Sequence, residues 1–115
     1  MTTPHLDNDV LSRCLQQRTR AWEDFVDRFL GLVLHVIDYT TAKREIQLQP
    51  EDRTALCERV FAALGHDRFR LLRNFKQRSN LTTYLSVVVR RIVIRLLINQ
   101  NVGTGQAVFD YKRAV

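Results

Sequence analysis

The chain has 115 residues, is 45% hydrophobic and 26% charged, and carries a formal net charge of +6. This is the balance of an ordinary soluble domain, long enough for one modest core. No apolar run nears the ~20 residues that cross a bilayer, and no charged-then-apolar leader opens the chain, so the cytoplasm is the expected location.

Asp7 and Asn8 are suited to capping a short first helix that runs to about Arg18, with Val10, Leu11, Cys14 and Leu15 on its apolar side. Thr19 can cap the second helix. There Trp22, Phe25, Val26, Phe29, Val33, Val36 and Ile37 recur at steps of three and four, which demands a buried stripe. Tyr39 to Gln49 reads as the frayed end of that helix and a connector. Pro50 suits a first helical position, and Glu51 and Asp52 suit the positive end of the helix dipole. The third helix runs to about Leu64, with Leu56, Val60, Phe61 and Leu64 inward, and Gly65 fits a left-handed cap.

His66 to Asn74 reads as a short helical turn with Phe69 and Leu72 pointing in, and Phe75 to Ser79 as a loop. Asn80 or Ser79 caps the last long helix. Its "VVV" and "IVI" runs favour strand by local propensity. However, Leu81, Leu85, Val88, Ile92 and Leu96 share a narrow arc at ~100° per residue, and the run continues too long for a strand, so helix is expected. The expected fold is therefore all-α, a small bundle of about four to five helices over residues 1–98. Residues 99–115 form a tail or the start of a linker.

The charge is lopsided. Between His66 and Gln100 there are eight cations (Arg68, Arg70, Arg73, Lys76, Arg78, Arg90, Arg91, Arg95) against the single acid Asp67, a net +7, while the remainder sums to −1. A solvated helix face laced with salt bridges would need interleaved acids, so this segment points to a polyanionic partner. Cys14 and Cys57 sit within amphipathic patterns and read as reduced, half-buried thiols. His5, His35 and His66 are scattered, so no metal site is expected. The sequence offers no nucleophile–base–acid set and no glycine-rich phosphate loop, which argues against an enzyme, and no cofactor is implied.

Three segments carry a family resemblance. "FKQRSNLTTYL" resembles the F-R-G-x-S-x-L-x-T-W-L signature of extracytoplasmic-function (ECF, group IV) RNA polymerase sigma factors. "AWEDFVDRFLGLVLHVI" is similar to the helix that precedes it in that family, and "LCERVFAAL" to their L-V-Q-E-V-F-x-x-L. They occur in family order and at family-like spacing, from Trp22 to Leu97, over the region 2 domain. The resemblance implies a bacterial helical bundle that docks on the β′ clamp helices of the RNA polymerase core. Such a domain reads and helps open the −10 promoter element, capturing a flipped base of the non-template strand.

By that resemblance, the DNA-binding residues are Phe75, Lys76, Arg78, Ser79, Asn80, Thr82, Thr83, Tyr84, Arg90, Arg91 and Arg95. Those binding polymerase are Asp52, Leu56, Glu58, Arg59 and Phe61. An anti-sigma factor is a further implied partner. An extruded base needs an aromatic or apolar wall and polar groups for its edge, which fits Phe75, Ser79 and Asn80, with Lys76 and Arg78 on phosphates. Plainer roles stand beside these: Phe75 and Tyr84 as core, Asn80 as a helix cap, Arg90 as a solubilising charge, and Glu51 and Asp52 as helix-start acids.

The chain also departs from the family pattern. Glu58-Arg59 replaces Gln-Glu, Ala55 stands at an acidic position, Arg91 and Arg95 replace Asn and Asp, and Ile98-Asn99 replaces a closing Arg pair. The family's second, helix-turn-helix domain is not in the chain, so a fragment or a stand-alone region 2 is expected, the fragment being favoured. The alternative to promoter recognition is a basic helical module that binds a protein regulator without a DNA role.

Overall fold

The computed structural model describes residues 4–76 and 80–99, with side chains from Leu6 onward. Four helices follow in order: α1 (Pro4–Leu15), α2 (Ala21–Lys43), α3 (Pro50–Arg73) and α4 (Leu81–Asn99). The described residues contain no strand, so the bundle is all-α as its periodicity predicts. Among the described residues, no helix is long and apolar enough to cross a membrane.

The bundle is built around α2 and α4, its most extensively paired helices, and every other pair of helices also touches. The α2 stripe is buried as expected at Phe25, Phe29, Val33, Val36 and Ile37. Trp22 is only half-buried. Its indole stacks on Phe25 at 5.5 Å and 8°, and meets Phe61 edge-on and Phe69 at a tilt, which ties α2 to both halves of α3. Such contacts add to the area that the rings bury.

In α4 the β-branched residues are helical, because tertiary burial overrides propensity. The buried face is broader and rotated relative to the sequence arc. Val89 and Val93 are fully buried beside Leu81, Leu85, Val88, Leu96 and Leu97, while Ile92 is only partly covered. The helix is wedged among three others, so a narrow stripe is not enough.

Four local expectations change. First, Asp7 is no cap. It lies in the first turn of α1, fully buried, and accepts a 2.8 Å hydrogen bond from Arg28 Nε of α2. The hydroxyl of Thr82 in α4 approaches its other oxygen at 3.4 Å. Its spacing to Val10, Leu11 and Cys14 puts it on the apolar face, and pairing with Arg28 offsets the cost of that burial. Second, α1 ends at Leu15, not near Arg18, and the residue before α2 is Arg20, left-handed at φ 63°, with no side-chain cap from Thr19. Third, α2 remains helical through Tyr39 to Lys43, where a frayed end was expected.

Fourth, Gly65 keeps a right-handed helical backbone, and the chain breaks just after it. His66 is extended, and Asp67, Arg68 and Phe69 take φ of 53–63°. Left-handed backbone costs L-residues ~1–2 kcal/mol each. Compensation comes from Phe69, whose ring packs 5.5 Å from Trp22, and from Arg73, which donates to the carbonyls of Asp67 and Arg68. Leu72 is buried after the break, as expected. Asn80 does cap α4: its Oδ1 accepts the Thr83 N–H at 2.8 Å.

Candidate nucleic-acid interface

The break in α3 bends its second half alongside α4 and leaves a groove of about 770 Å³ between them. Arg59 and Arg70 project from the α3 side, and Arg91 and Arg95 from the α4 side, with His66 at the break. The spacing of Arg91 and Arg95 (i, i+4) puts both on one face of α4. Arg59, Arg91 and Arg95 form no ion pair with any described residue. Arg70 is 3.9 Å from Asp67, the one acid in the groove wall. The floor is apolar, made of Leu71, Val88, Ile92 and Leu96, and the small side chains Ala62 and Ala63 keep the groove open. Four guanidinium groups beside a low-dielectric floor concentrate positive potential there.

Tyr84 stands at the groove's edge near Asn74. Its hydroxyl donates to the Leu71 carbonyl at 2.6 Å, and its ring leans on Phe75 at 5.2 Å. Burial pushes the Tyr84 phenol above its ordinary pKa, with nearby Arg91 pulling the other way. Phe75 is half-buried and packs against the core, so one face of its ring is committed to Tyr84. The pair stitches the end of α3 to the start of α4.

The remaining DNA-assigned residues divide. Lys76, Asn80 and Thr83 are exposed near the start of α4. Arg78 and Ser79 lie outside the described residues. Thr82 turns inward towards Asp7, so its hydroxyl is engaged inside the bundle. Arg90 is exposed on the opposite flank of α4, facing α2. The cations of α4 thus form two separate tracks, and only Arg91 and Arg95 belong to the groove.

The polymerase-assigned residues are also dispersed. Leu56 is fully buried and Phe61 nearly so, so both hold α3 to the core. Asp52 is half-buried and Glu58 exposed. Glu58 and Phe61 do meet, in the lining of a second groove of about 580 Å³ between α2 and α3, with Trp22, Val26, Leu30 and Cys57. Arg59 faces the other way, into the arginine groove. Beside the α2/α3 groove, Arg53 grips both oxygens of Asp38 at 2.8 Å, which holds the Asp38 carboxyl below its usual pKa.

Reasoning from the sequence missed Arg70 and His66 as groove residues and put Arg59 on another surface. The available signals were the adjacent small residues Ala62 and Ala63, which open space, and the i, i+4 arginines facing them. Comparison with protein-family models, curated proteins and solved structures finds no match to this chain.

Proposed function

We propose that the groove between α3 and α4 receives single-stranded DNA of a promoter −10 element, and that the domain acts as region 2 of an ECF-type sigma factor. The observation that carries this reading is the convergence of Arg59, Arg70, Arg91 and Arg95 on one groove beside the capped start of α4. Arginine forks suit phosphate oxygens, and unpaired arginines supply the field that a polyanion meets. A strand following the groove is carried towards Tyr84, Phe75 and Asn80. The phosphate contacts set register, and the groups around Asn80 set sequence preference. The outer side of α3, with Asp52 and Glu58, is the side offered to the β′ clamp helices of the polymerase core.

A second reading has one observation of its own. The groove floor is largely apolar, so it also suits an acidic amphipathic helix of a protein regulator such as an anti-sigma factor. Fluorescence anisotropy with −10-like single-stranded DNA and with unrelated strands separates the two. Arg91→Ala and Arg95→Ala lower affinity for every strand, whereas Asn80→Ser, which keeps a capping oxygen, blurs preference and leaves general affinity. Pull-down with the β′ clamp helices tests the polymerase side. A folded domain that binds neither DNA nor clamp helices leaves the regulator reading.

A further inference from the structure

On the far side of α4 from the arginine groove lies a smaller pocket of about 260 Å³ between α2 and α4. Its α2 wall carries His35 and Tyr39, one turn apart, with ring centroids 6.5 Å apart and planes only 26° from parallel. Tyr39 is 54% exposed, so its ring is open to a ligand. The Lys43 ammonium sits 5.6 Å from its centroid. Across the pocket, Ser86 and Arg90 project from α4, and Arg90 has no ion pair with a described residue. The Ser86 hydroxyl is engaged with the Thr82 carbonyl at 2.9 Å. Asp38, the neighbouring acid, is held by Arg53 through both oxygens.

One more group lines this pocket. Thr40 is only 4% exposed, and its hydroxyl has no hydrogen-bond partner among the described residues. The adjacent Thr41 behaves ordinarily and donates to the carbonyl of Ile37 at 2.9 Å. The hydroxyl oxygen itself has almost no accessible surface, so it is a cost to the fold rather than a contact offered to a ligand.

We infer that this pocket binds one unpaired nucleotide: the base lies on the Tyr39–His35 surface, and the phosphate meets Arg90 and Lys43. Each part matches a requirement of single-strand recognition, namely a π-face for the base and a cation for the backbone. The volume suits a single ring system and is too small for a duplex. The site stands apart from the arginine groove and does not depend on its assignment.

The test is NMR titration of the full chain with 5′-dAMP, with inorganic phosphate as the control probe. The nucleotide shifts the ring signals of Tyr39 and His35 strongly, whereas inorganic phosphate shifts the Arg90 side-chain N–H and perturbs the rings far less. Tyr39→Phe retains the response. Tyr39→Ala abolishes it and weakens single-stranded oligonucleotide binding about 5- to 150-fold. Unmoved Tyr39 and His35 rings at saturating nucleotide overturn the inference, as does a Tyr39→Ala variant that binds single-stranded oligonucleotide as the parent does. If Arg91 and Arg95 prove irrelevant to DNA while the Tyr39 ring still responds, the groove reading fails and the pocket stands.

Discussion

Removing the Asp7 carboxylate is expected to destabilise the whole bundle, although the residue is near the chain's start. The carboxylate is 1% exposed, and its partner Arg28 is 26% exposed. Breaking a buried pair from one side costs about 3–5 kcal/mol, because the remaining charge is left uncompensated. Here Arg28 keeps some access to water, so Asp7→Ala belongs at the lower end, about 3 kcal/mol. For a domain of this size that lowers the melting temperature by roughly 12–24 °C. Thermal and urea unfolding followed by circular dichroism measure both quantities. The double variant Asp7→Leu/Arg28→Met removes both charges and is expected to lose less than Asp7→Ala alone. If Asp7→Ala melts within about 0.5 kcal/mol of the parent, the pair does not anchor α1 to α2, and this reasoning is refuted.

Tyr84→Phe removes the donor to the Leu71 carbonyl and is expected to cost about 0.5–1.5 kcal/mol in urea unfolding; an unchanged midpoint would mean that the bond is not formed in solution. Cys14 is 1% exposed, and burial pushes its thiol up to about 11, so native protein at pH 8 resists alkylation there while urea-unfolded protein reacts quickly, as peptide mass spectrometry would read. Asp38, held by Arg53, has a lowered folded pKa, so its contribution is present above the unfolded carboxylate value of about 3.9 and is lost as pH falls through the folded value. Because that pair is exposed, Arg53→Ala should lower stability only slightly at neutral pH, and its difference from the parent should vanish as pH falls through the folded value.

The helices were legible because their apolar spacing is strong. The α2 stripe from Phe25 to Ile37 and the Asn80 cap of α4 are both where periodicity and capping chemistry put them. The α4 helix was legible in type but not in orientation: Val89 and Val93 are as apolar as Ile92, and only the placement of neighbouring helices decides which is enclosed. The left-handed break at Asp67–Phe69 carries no sequence signal, since none of the three residues is glycine and the aromatic packing that holds it comes from Trp22, far away in the chain. Asp7 was misread because a helix-start acid is usually a solvated cap, and its shared face with Val10 and Cys14 counted for less. The cationic cluster was visible as composition, but its division into Arg91 and Arg95 on one flank and Arg90 on the other depends on which helix lies beside each.

Binding of a single-stranded −10-like oligonucleotide measured across a salt series, for the parent and for Arg91→Gln/Arg95→Gln, decides whether DNA occupies the groove between α3 and α4. If the groove holds the strand, affinity falls linearly on logarithmic axes, and the double variant loses about 1.4 units of slope, roughly 0.7 for each phosphate released. A parent that binds without salt dependence, or a double variant with the parent's slope, contradicts the assignment of DNA to the groove between α3 and α4.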